Sequence, residues 1–276
     1  MFELEGLRDP LFLTLYVVAG CLALVAAVYL LFRRRNAVAP DVGSILVLRR
    51  WTAAFLLAAA LSHVWWLVLG TVWMTDDHLV RTITVILLDH STLVPLVMAV
   101  LLSMLQDRRR PIWLWLLVQV PVVTFGVMGI VRRDWFYGYT LPHYWQLGTI
   151  AVFVVYYIFA LRQYGRWLRD NFSDLAHKEV WQSLAFALVF FAIYSLYTSN
   201  MGEMMREYLS QVLTLVIIGF LVWRVETLQE LESEEDMDKG VPLTGQKSHK
   251  LKDFSPIGDL SKTMEITNNI IYLKQQ

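Results

Sequence analysis

Cysteine occurs once in the 276 residues, at Cys21, which excludes an internal disulfide framework, a Cys-rich zinc site and an iron–sulfur cluster. Charge is also scarce. Asp, Glu, Lys and Arg make up 17% of the chain, against ~25% in an ordinary soluble domain. Lysine is missing from every long apolar run, so no amine is available there for the Schiff base of a retinal protein. HExxH, G-x-S-x-G, a Walker loop and GxGxxG are all absent. Asp89 is the only acidic residue deep in an apolar run, which excludes an intramembrane aspartyl dyad. The expectation is a protein that is not an enzyme and that carries no cofactor and no metal.

What is present is apolar. Hydrophobic residues form 57% of the chain, mean hydropathy is +0.48, and they come in long blocks. A membrane-spanning helix needs about 20 mostly apolar residues. Seven stretches meet or approach that length: 11–32, 51–72, 80–105, 112–131, 145–161, 181–198 and 210–223. Each must be helical, because lipid leaves a backbone N–H or C=O no water to bond. The fifth and seventh are the shortest. Twelve Arg and Lys side chains (among them Arg33, Arg49, Arg108, Arg110, Arg166 and Lys178) fall in the first, third and fifth connections. The N-terminus and the other connections hold five: Arg8, Arg81, Arg132, Arg133 and Arg206. The basic side is cytoplasmic by the positive-inside rule, so the N-terminus is expected outside and the C-terminal tail inside a bacterial cytoplasmic membrane. Trp51, Trp73, Trp113, Trp135, Trp145, Trp181 and Trp223 sit at run ends, as interfacial anchors do.

The fold class expected is therefore all-α: a polytopic membrane bundle of about seven transmembrane helices, with a short cytoplasmic helix and a flexible tail. The boundaries are 1–10 for an external N-terminus, 11–224 for the membrane domain, 225–239 for the cytoplasmic helix and 240–276 for the tail. Val225, Leu228 and Leu231 recur at helical spacing beside Glu226, Glu230 and Glu232, so the last span is expected to run on as a helix that pairs in a homodimer. The partners implied are the bilayer, a second copy of the chain and a ligand of unknown nature.

Ionisable residues at membrane depth are costly and mark candidate sites. Asp89 and His90, in the third run, lie nine or ten residues from its outer end, and His63 lies at matching depth on the antiparallel second run. The three are read as one polar cluster in which the carboxylate orients an imidazole. Its role is open between interhelical glue, a ligand or proton-sensing pocket, and a metal, haem or transport site. Neighbours on a helix diverge by about 100°, so Asp89 and His90 are not expected to share an ion. Pro95 follows in the same run, and Gln119 before Pro121 adds a further polar partner and a kink in the fourth. Ser173 or Asp174 is the expected N-cap of the sixth helix.

The fifth connection, "RWLRDNFSDLAHKEVWQSL" at 166–184, and "FLVWRVETLQELE" at 220–232, resemble membrane-anchored bacterial regulators. Those have a multi-span N-terminal sensor and a C-terminal AraC-type helix-turn-helix domain; related membrane histidine kinases share the sensor style. The resemblance implies a signal-input module, with transport through Asp89, His90 and His63 as the alternative. It also implies a DNA-binding domain after the last span, but only 52 residues follow Arg224, against the roughly 100 of an ordinary domain. Residues 225–276 carry 6 basic and 10 acidic side chains and no helix–Gly turn–helix. The chain as it stands is expected to bind no nucleic acid, its output half being lost or carried elsewhere.

Overall fold

In the computed structural model the described residues are 9–33, 35–37, 43–71, 77–108, 110–172, 178–198 and 203–231, all within one compact unit, 1–241. Every apolar run becomes helix: α1 Pro10–Phe32, α2 Leu46–Thr71, α3 His78–Ser103, α4 Trp113–Leu117 with α5 Val120–Arg132, α6 Leu141–Asn171, α7 Gln182–Thr198 and α8 Glu203–Thr227. A π-helical turn, Phe136–Thr140, leads into α6. Among the described residues six segments are long and apolar enough to cross a membrane, α4 and α5 counting as one; α7 is the shorter exception at 17 residues. The fifth and seventh runs, short by hydropathy, belong to helices of 31 and 25 residues, because helix geometry continues past the apolar core into polar flanks. Among the described residues there is no strand, only an isolated antiparallel bridge between Ser44 and Gln229.

The outside of the bundle is as apolar as its inside. Phe32, Val131, Val25 and Phe159 are 85%, 76%, 64% and 64% exposed, a surface that lipid covers without cost and water does not. The chain is a multi-span membrane protein. Its connections gather at two ends. At the basic end the α1–α2, α3–α4 and α6–α7 connections meet the end of α8, through the bonds of Ala37 to Glu226, Gln106 to Gln229 and Arg224 to Glu179. At the opposite end the start of α1 meets the start of α8, and Asp77 lies 3.6 Å from Arg133.

Local chemistry sets the helix ends. Asp9 and Asp77 cap α1 and α3, accepting from the Leu11 and Leu79 amides at 3.0 and 3.1 Å. The fourth run breaks at Val118–Gln119, just before Pro121, as Pro at a helix start requires. Trp145 Nε1 donates to the Val118 carbonyl at 2.9 Å across that break. Arg133, left-handed at φ 52°, ends α5. The π turn then tucks against α5 and α3. A Cβ on Gly129 would stand 2.1 Å from Gly138 Cα, and one on Gly138 2.3 Å from Ile83 Cδ1, so both positions need glycine for close approach.

Three expectations need correction. α8 stops at Thr227 instead of continuing; Leu228 to Leu231 is not helical, and 232–239 lies outside the described residues, as does the tail. Val225, Leu228 and Leu231 are 1%, 0% and 8% exposed in the chain's own core, so they offer no free seam for a homodimer. α7 begins at Gln182, whereas a cap immediately precedes its helix in sequence; Ser173 and Asp174 are eight or more positions earlier and lie outside the described residues.

Candidate functional site

Ser62, next to His63, bonds Asp89, next to His90, so the three candidates sit at one level of the α2–α3 pair, but each faces a different interface. Asp89 turns to α2. Its Oδ1 accepts from Ser62 Oγ at 2.7 Å and from Trp65 Nε1 at 3.0 Å, and its Oδ2 from Trp66 Nε1 at 2.7 Å. Ser62, Trp65 and Trp66 share one face of α2 because positions three and four apart are neighbours on a helix. The site thus surrounds one carboxylate with two indoles and a hydroxyl. Such an acceptor-only group is well matched to donors that have no other use.

His63, next to Ser62 in sequence, turns to α1 and α8. Its Nδ1 lies 2.8 Å from the Ala59 carbonyl, one turn back, and its Nε2 lies 3.0 Å from Gln211 Oε1. Tyr16 of α1 packs against the imidazole, ring centroids 4.8 Å apart, and donates its hydroxyl to the His63 carbonyl at 2.5 Å. A carbonyl can only accept, so Nδ1 carries the proton. A neutral ring then accepts at Nε2 and takes the Gln211 amide nitrogen; an imidazolium donates there and takes Oε1. The amide of Gln211 therefore reads the charge of His63. Both ring nitrogens of His63 are engaged elsewhere, so the Asp89 carboxylate does not orient the imidazole.

His90 turns the other way, to α6. Its Nδ1 donates to the Ile86 carbonyl at 2.7 Å, and its ring meets that of His143 at 6.5 Å between centroids. His143 in turn stacks on Tyr139 at 5.3 Å. Gln119 is buried but joins none of these groups. Among the described residues no three His, Cys, Asp or Glu side chains lie close enough to hold a metal ion.

Sequence reasoning missed a second buried assembly, at the basic end. Arg49 of α2 and Glu226 of α8 pair at 2.7 Å, their side chains 3% and 2% exposed. Arg49 also donates to Ser44 Oγ at 2.8 Å, to the Arg33 carbonyl at 2.6 Å and to Asn36 Oδ1 at 3.1 Å. Glu226 accepts from the Ala37 amide and from Tyr29. The chain just beyond is clipped down: Glu230 N–H donates to the Gly43 carbonyl at 3.0 Å, while Gln106 donates to the Gln229 carbonyl and accepts from Leu231 N–H, both at 2.8 Å. Arg49 and Glu226 sit beside span ends, where charges ordinarily reach for water, so nothing in the sequence marks them as partners.

The two assemblies share a pair of helices. His63 meets Gln211 and Arg49 meets Glu226, fourteen positions apart on α2 and fifteen on the antiparallel α8. That is about 21–23 Å at ~1.5 Å per residue. Comparison with known proteins adds nothing to this geometry: no family model, no curated protein and no solved structure matches the chain.

Proposed function

We propose that the chain is a membrane signal-input module in which events at His63 and Asp89 reach the C-terminal segment through α8. The observation that carries this is the double fastening of α8 to α2, by His63–Gln211 within the membrane and by Arg49–Glu226 at the basic end. A charge change on His63 reverses what it asks of Gln211, and α8 is a continuous helix from there to Glu226. The resemblance to membrane-anchored regulators points the same way. In this reading the basic end faces the cytoplasm, and a thiol placed at Ser233 is closed to a membrane-impermeant label added to intact cells.

The transport alternative gains nothing from the geometry. Asp89, His90 and His63 face three separate interfaces, and Asp89 is saturated by donors from one helix.

Gln211→Leu tests the relay, since it keeps bulk and removes the bond to His63. Hydrogen exchange at 228–231 should quicken in this variant, although the substitution lies more than 20 Å away (~1.5 Å per residue). Unchanged exchange there would leave His63–Gln211 as local packing and sink the relay.

A further inference from the structure

Charge is balanced around Arg49 but not around a second buried guanidinium. Arg224 of α8 is 4% exposed. One of its Nη atoms donates to the Glu179 carbonyl, its guanidinium lies 5.6 Å from the Trp223 ring centroid, and its Nε has no partner. Among the described residues no carboxylate pairs with it. Arg110, 9% exposed, forks onto Asp107, reaches the Ala160 carbonyl at 3.5 Å and likewise leaves its Nε unbonded.

Arg110 reaches α6 at the Ala160 carbonyl, between Tyr157 and Tyr164 on one face of that helix. The two tyrosine hydroxyls are tied to the segment that starts α7: Tyr157 to Ser183 Oγ at 2.6 Å, and Tyr164 to the Lys178 carbonyl at 3.0 Å. The Glu179 carbonyl that Arg224 bonds is three residues before the first residue of α7. Arg110 with its Asp107 partner, and Arg224 with the start of the 17-residue α7, thus meet the same face of α6 through Ala160, Tyr157 and Tyr164; the described ion pairs neutralise only Arg110, and two buried Nε–H groups are unspent. A buried unpaired cation is unfavourable unless an anion joins it. Trp181 and Trp223, 60% and 44% exposed at the same end, are the side chains that settle at headgroup depth. The anion that a guanidinium fork meets at that depth is a phosphate group.

We propose that Arg224 and Arg110, with the start of α7, form a binding site for a phosphate group at the basic end of the bundle. It is either the headgroup of an anionic lipid or a free phosphate. The site is independent of the signal-input reading, since it needs neither His63 nor Gln211.

Thermal unfolding of the full chain tests it in two arms. The first adds inorganic phosphate to protein in a neutral detergent, with chloride at matched ionic strength as the reference. The second compares nanodiscs of phosphatidylcholine with and without phosphatidylglycerol. A saturable rise in the unfolding midpoint is expected in at least one arm. The first arm alone identifies a free anion, and the second alone identifies a lipid. Arg224→Gln, which keeps a donor for the Glu179 carbonyl, should weaken the response by more than about tenfold, as should Arg110→Gln. Arg166→Gln, at an exposed position of α6, should leave it intact. No rise in either arm with the wild type overturns the proposal. So does a rise of equal size in Arg224→Gln and Arg110→Gln.

Discussion

Glu226 and Asp89 are both carboxylates enclosed by the bundle, and they are accommodated in different ways. Glu226 meets a full opposite charge, with loop backbone close by: Arg49 leans on the Arg33 carbonyl, and Glu226 on the Ala37 amide. Asp89 meets only dipoles, two indole N–H groups and a hydroxyl. Position explains the contrast. At a helix end, backbone groups are free to solvate a charge. In mid-span every N–H and C=O is spent within its own helix, so only side chains remain, and α2 supplies three donors from successive turns. A charge near the end can thus be paired through loops, whereas one in the middle depends on a single helix face.

The largest effect should come from breaking the pair at the end. Glu226→Ala strands a buried guanidinium and should lower stability by about 3–5 kcal/mol, read as denaturant-induced unfolding in micelles. Replacing both partners, as Arg49→Met with Glu226→Leu, should recover most of that loss, because neither charge is then left alone. A double variant as unstable as the single one would mean that the loops, and not the pair, hold this end.

The mid-span site should break less severely and in a graded way. Asp89→Asn keeps the shape, but an amide nitrogen must then face an indole N–H, since neither Trp65 nor Trp66 can accept. The expected cost is about 2–3 kcal/mol, the upper part of the range of about 1–3 kcal/mol for leaving a buried polar group unmatched. Trp66→Phe should cost about 1–2 kcal/mol, because it removes the indole N–H that donates to Oδ2. Trp65→Phe should cost less, because Ser62 still serves Oδ1. If the two Trp variants are equally destabilised, ring packing outweighs hydrogen bonding at this site, and the contrast with Glu226 is one of packing.

Apolar run length was enough to locate each helix, and depth counted from span ends brought Asp89 and the His63 turn to one level. What the sequence hid was direction. Trp65 and Trp66 count as apolar residues in any hydropathy window, yet their N–H groups are what Asp89 bonds. Gln211 lies at the margin of a run that looked short, so its meeting with His63 was not legible until α8 proved to begin at Glu203. The spacing of Val225, Leu228 and Leu231 marks a buried face, and within this chain that face packs in the core while the segment after Thr227 bonds to Gly43 and Gln106. Periodicity tells that a face is buried and not what buries it.

The smallest effect belongs to a third carboxylate, at the opposite end and outside the spans. Asp9 accepts from the Tyr208 hydroxyl and from the Leu11 N–H, and these bonds, the first above all, hold its carboxyl below the usual aspartate range. A carboxyl whose value is lowered on folding adds stability that is present above its unfolded value, about 3.9, and is lost as pH falls through the folded value beneath it. The gap in thermal midpoint between wild type and Asp9→Asn should therefore be largest near neutrality and should close on acidification below about pH 4. Solvent contact keeps that gap smaller than any effect at Glu226 or Asp89. A gap that does not change with pH would assign the α1–α8 contact at this end to the Phe12 and Tyr208 rings, 5.5 Å apart, and the carboxylate would then add nothing to it.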